Sequence, residues 1–179
     1  MRRRLPSAFR RAPGRRGRGG SAAVEFAMVA LPFFFLMFSV LELALVFVID
    51  SVLENAAIET GRLVRTGQAA EKNFTAATFK TSLCGRMSIF ASDCPSKVTV
   101  DVRVIPQFKN PTVPDPLSGK AFDPTVTLYD GGKPGDIVLV RAWYRHTLFT
   151  PFLAQGLSRL NDGAAVLTST TAFRNEPWD

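Results

Sequence analysis

The residues of this chain best suited to a chemical step are Gly20, Ser21 and Glu25. They stand where an arginine-rich segment meets a long apolar one. The chemistry that fits is cleavage of the Gly20–Ser21 peptide bond by another protein. A protease working at a membrane face needs an extended, unhindered bond, and glycine supplies it. Glu25 lies five residues beyond that bond, at the edge of the apolar run, where a carboxylate is costly unless it finds a partner. Other chemistry is poorly served. His146 is the only histidine, so no multi-histidine metal cluster can form, and no neighbouring Ser or Asp marks it as part of a triad; it reads as a strand-end residue. Asp130-Gly-Gly-Lys-Pro-Gly-Asp136 lacks the spacing of a phosphate loop and reads as a turn. Asp115, Asp123, Asp130 and Asp136 show no calcium-ligand ladder. The sequence therefore predicts no enzyme, no metal and no cofactor.

The element that positions Gly20 and Glu25 is the apolar run itself. Phe26 to Ile49 is twenty-four residues with one charge, Glu42. As a helix it rises roughly 36 Å, enough to cross a hydrocarbon core of about 30 Å with some tilt. Glu42 sits in Val40-Leu41-Glu42-Leu43, and nothing in the sequence names its partner. Residues 1–20 hold eight arginines and no acid, which leaves fourteen bases and fifteen acids in the other 159, a net charge of −1. The pI near 10 thus belongs to the leader alone. Lys and Arg stay on the cytoplasmic side of a span, so the leader is predicted inside and all that follows Ile49 outside. Arg-Gly clusters also bind nucleic acid through phosphates, but with a span a few residues away topology is the simpler explanation, and no nucleic acid partner is expected.

On the outer side Cys84 and Cys94, the only cysteines, can close a disulfide around a small loop and so stabilise a domain with little core. The other reading is two free thiols. Past the span, Ile49, Val52, Leu53, Ala56, Ala57, Thr60, Leu63 and Val64 recur at helical spacing, opposite Asp50, Glu54, Asn55, Glu59 and Arg62. The helix therefore continues as an amphipathic one to about Thr66, with Gly67 as its stop and Pro32 as a point of kinking or loosening. Gly61 reads either as a close-packing point or as a tolerated glycine. Residues 73–87 read as a second helix with Asn73 as N-cap. Lys97–Ile105, Ile137–Thr147 and Ala164–Phe173 alternate as strands, the first with its valines on one side and Thr99, Asp101 and Arg103 on the other. Trp143 and Tyr144 are expected to fill the sheet face. Pro106–Gly135 is a long loop, with room for a short strand at Thr125–Tyr129; Leu148–Leu160 is a loop with a helical turn. The fold class is α+β: a long N-terminal helix, membrane-spanning in its first half, with a second short helix and a small antiparallel sheet in an extracytoplasmic domain. The expected divisions are a basic leader (1–20), the long helix (21–67) and the outer domain (68–179).

The stretch Gly20-Ser21-Ala22-Ala23-Val24-Glu25-Phe26 resembles the signal of type IV pilin-like proteins, in which a prepilin peptidase cuts on the cytoplasmic side after Gly and leaves Glu at position five of the mature chain. Counting Ser21 as one, Glu25 is five. With Ala27, Pro32, the Phe- and Leu-rich run, Glu42 and the Ala56-Ala57 to Gly61-Arg62 tail, residues 20 to about 66 resemble the TadE-like family, minor pseudopilins of the tight adherence (Flp-type) pilus system. The resemblance implies Gly20 and Ser21 as the processing site and Glu25 as an assembly carboxylate that neutralises a new N-terminal amine. It implies prepilin peptidase, other pilin-like subunits, the assembly machinery and the lipid bilayer as partners. The implied location is the bacterial inner membrane, N-terminus inside and C-terminal domain in the periplasm. The alternative is an uncleaved single-pass membrane protein with a periplasmic binding domain.

Overall fold

The computed structural model describes residues 19–178; of the leader predicted over residues 1–20, residues 1–18 lie outside them. The chain divides at Met37 and Phe38 into two compact units. One helix, α1 (Gly19–Arg65), belongs to both and is continuous through Pro32. Within the first unit the described part is α1 alone, its apolar side chains from Val24 to Leu36 largely exposed.

The second unit holds everything else, and its class is α+β. Residues 46–64 of α1 carry a buried stripe, Val46, Ile49, Leu53, Ala56, Ala57, Thr60 and Val64, at spacings of three and four. Gly67 follows the helix in the left-handed conformation, φ 79°, and donates its N–H to the Val64 carbonyl. A Cβ there would collide with the Trp178 ring, so glycine is required twice over. Glu176 returns the C-terminal tail to the same helix end, pairing with Arg65 at 3.0 Å and donating its N–H to the Arg65 carbonyl.

One turn, α2 (Gln68–Glu71), leads to α3 (Ala76–Gly85). The N-cap of α3 is Thr75, not Asn73. Thr75 and Thr78 bond reciprocally in a capping box, whereas Asn73 sits at φ 50° in the preceding turn. Phe79, Leu83 and Cys84 face inward. Cys84 is disulfide-bonded to Cys94, the first residue of the short α4 (Cys94–Lys97), with their Cα atoms 5.4 Å apart.

The sheet consists of β1 (Val98–Ile105), β4 (Ile137–Thr147) and β5 (Ala164–Arg174), antiparallel in that order. Val98, Val100 and Val102, paired with Tyr144, Ala142 and Val140, face the helices and join α1 and α3 in the main core. β5 crosses α1 closely: a Cβ on Gly61 would stand 3.0 Å from the Phe173 ring, which makes Gly61 a close-packing point. The long loop carries a two-stranded ladder, β2 (Leu117–Ser118) with β3 (Ala121–Phe122). The strand expected at Thr125–Tyr129 is instead a 3-10 turn at Pro124–Val126, followed by a parallel bridge of Tyr129 to Val102. Pro124 has no N–H to give a ladder, which favours the turn. The loop covers the second face of the sheet, where Leu117 and Phe122 pack on Trp143. Trp143 and Tyr144 therefore fill opposite faces. The last helix, α5 (Pro151–Leu157), follows β4.

Candidate functional site

Gly20 and Ser21 lie in the first turn of α1, exposed, with Glu25 one turn further on. The Ser21 hydroxyl donates to Glu25 Oε1 at 2.9 Å. No atom of the described residues stands within 4 Å of where a Cβ on Gly20 would be. The bond is thus unobstructed, but it is helical, not extended as a protease requires. The apolar residues that follow propagate a helix back through it. That turn is easily undone: its N–H groups have no intrahelical acceptors, and each glycine weakens a helix by about 1 kcal/mol relative to alanine.

α1 is one helix, apolar over its first half and long enough to cross a membrane. It ends at a left-handed glycine after an amphipathic second half. Residues 20–70 match the family model described as TadE-like protein. No curated protein and no solved structure matches the chain.

The matched segment contains a second carboxylate in an apolar setting, and here the structure supplies the partner that the sequence leaves open. Glu42 is 7% exposed. Its two oxygens accept the backbone N–H groups of Phe149 and Thr150, the latter at 2.8 Å. These residues immediately precede α5 and lie more than a hundred positions away in the chain. Val46, one turn along α1, packs with Leu148 and Ala165. Glu42 therefore staples the β4–α5 connection to the helix. His146 lies beside it, inside β4 and buried; its Nε2 has no hydrogen-bond partner among the described residues. Burial lowers the His146 pKa, against the opposing pull of Glu42.

A third acid stands where alternation puts it, on the face of β1 opposite the valines. Asp101 and Arg103 are both buried there, because the long loop covers that face. Asp101 receives Arg103 and Arg141, with Arg103 Nε at 2.8 Å and Arg141 Nη2 at 2.7 Å, and the Leu128 N–H at 2.9 Å. The arginines use their remaining donors on loop carbonyls, Arg103 on Val126 and Arg141 on Pro114. Arg141 also lies over the Trp143 ring. Burial alone would raise the Asp101 pKa; the two guanidinium groups and the Leu128 N–H outweigh it and hold the carboxyl below its ordinary value. The cluster ties down the loop. Its sequence signal was one acid and two bases on facing strands flanking a thirty-residue loop. Among the described residues, no group of His, Cys, Asp and Glu side chains is arranged to hold a metal ion.

Proposed function

We propose that this chain is a membrane-anchored, pilin-like assembly component of a tight adherence pilus system, cut by a prepilin peptidase between Gly20 and Ser21. The observation that carries the reading is the start of the TadE-like match at residue 20, on the glycine that precedes Ser21 and, five residues on, Glu25. The peptidase meets a first turn that unwinds at low cost and a glycine with open space around it. Cleavage turns Ser21 into the mature N-terminus and places a new ammonium one helical turn from Glu25. The carboxylate then neutralises that amine, or that of a neighbouring subunit, while both sit near lipid. In this reading the arginine leader stays in the cytoplasm. The unit from Phe38 onward carries the periplasmic domain, where Cys84 and Cys94 stay oxidised.

The mass of the chain recovered from cells tests the proposal. A mature protein beginning at Ser21 is expected from the wild type, and the full-length chain from Gly20→Leu. Because open space surrounds Gly20, that substitution does not disturb packing, and retention of the leader reports on the peptidase alone. The helical state of the Gly20–Ser21 bond favours one competing reading, a signal-anchor that is never cut. A full-length wild-type chain in assembling cells would establish that reading instead.

A further inference from the structure

Residues 147–157, Thr-Leu-Phe-Thr-Pro-Phe-Leu-Ala-Gln-Gly-Leu, carry no charge. Glu42 fixes the N-terminal side of this segment beside α1, within the apolar run that ends at Ile49. Phe149 is 79% exposed, among the most exposed large apolar side chains of the second unit. Leu153 and Leu157 line a cleft with Leu43 of α1. Near them Leu41, Phe47 and Val48 of α1 are exposed as well. The next base, Arg159, shares a cleft with Asp50, the residue at which the apolar run ends. Charge thus begins at one level on both elements, and the uncharged segment lies on the apolar side of it. From Phe26, where the apolar run begins, to Val46 a helix rises about 30 Å, the thickness of a hydrocarbon core, which puts Glu42 and the segment it holds just inside the outer edge.

We propose that residues 148–157 form a membrane-interface element: Phe149, Leu153 and Leu157 lie among the acyl chains next to α1, and Arg159 lies at the phosphate level. The inference rests on the reading of α1 as a membrane anchor. The occupant of the exposed apolar surface is lipid, because the surface is continuous along the chain with the helix that lipid surrounds. The staple from Glu42 gives a single chain a helix and a side foot in one leaflet, which sets how far the outer unit stands above the bilayer.

Nitroxide accessibility in proteoliposomes of phosphatidylcholine and phosphatidylglycerol tests this on the full chain. The native cysteines are paired, so Phe149→Cys, Phe34→Cys and Ile89→Cys each offer one thiol for labelling. Ile89 is 78% exposed and serves as the water marker; Phe34 marks the span. The label at Phe149 is expected to collide more with oxygen than with a water-soluble nickel complex, as at Phe34, and the order is expected to reverse at Ile89. A Phe149 label that follows Ile89 while Phe34 remains in lipid overturns the interface element and leaves the anchor standing. A Phe34 label open to nickel removes the anchor and the element with it. A Phe149 label shielded from both reagents, with dipolar broadening between labels, overturns lipid in favour of a second copy of the chain.

Discussion

Glu25 and Glu42 are both carboxylates on one apolar helix, seventeen residues apart, and their surroundings differ in kind. Glu42 is buried and already has its donors, two backbone N–H groups from its own chain. Glu25 is exposed and accepts a hydroxyl one turn away, that of Ser21. Asp101 extends the series, fully buried and held by two arginines. An acid whose donors come from its own fold contributes to stability; an acid left open contributes to whatever docks on it. The comparison therefore predicts a graded loss of stability across the three, and a loss of assembly that runs the other way.

Asp101→Ala has the largest expected effect. It leaves Arg103 and Arg141 buried without a counter-charge and frees the loop they hold, at a cost of about 3–5 kcal/mol. The urea midpoint of the detergent-solubilised protein measures it. The same carboxyl fixes the sign of the acid response. Its pKa is lower in the folded state than the ordinary value of about 3.9, so its contribution is complete above that value and is lost as pH falls through the depressed one. A wild-type midpoint for Asp101→Ala would place the cluster outside the folding core.

Glu42→Ala comes next. The N–H groups of Phe149 and Thr150 lose their acceptor, and a buried unsatisfied group costs about 1–3 kcal/mol. Limited proteolysis should cut within 148–157 in the variant while the rest of the unit resists. Glu42→Gln keeps one acceptor oxygen and should fall between. Should Glu42→Ala resist cleavage like the wild type, the staple is incidental and the contrast with Glu25 collapses.

The comparison also marks where a sequence can be read. The long helix, its stop at Gly67 and the three strands follow from local periodicity and turn residues, and the structure has them within a residue or two. The partner of Glu42 lies more than a hundred positions away, and no local pattern carries such a distance. Alternation puts Asp101 and Arg103 on the face opposite the valines but does not say what covers that face; a proline-rich loop does so here, and its anchors are backbone carbonyls, which any residue has. Thr75 took the cap from Asn73 through a reciprocal bond with Thr78, a choice between polar residues that spacing alone does not make.

The smallest effect on stability is expected at Glu25, and it is the most informative. Glu25→Gln removes a charge that no buried donor among the described residues needs, so the urea midpoint and the proteolytic pattern of the second unit should match the wild type. On the proposed reading cleavage at Gly20 should also continue, since the Gly20–Ser21 bond lies a full turn before the substituted side chain. What should fail is docking. An unpaired charge at the bilayer centre costs about 2.5–3.5 kcal/mol and less towards the interface, so a carboxylate there favours the one register in which it meets an N-terminal ammonium. Glutamine has no such preference, and co-purification of pilin-like subunits with Glu25→Gln should drop while its membrane level stays constant. If instead Glu25→Gln co-purifies them like the wild type, the open acid has no docking role and the difference between the two glutamates is one of burial alone.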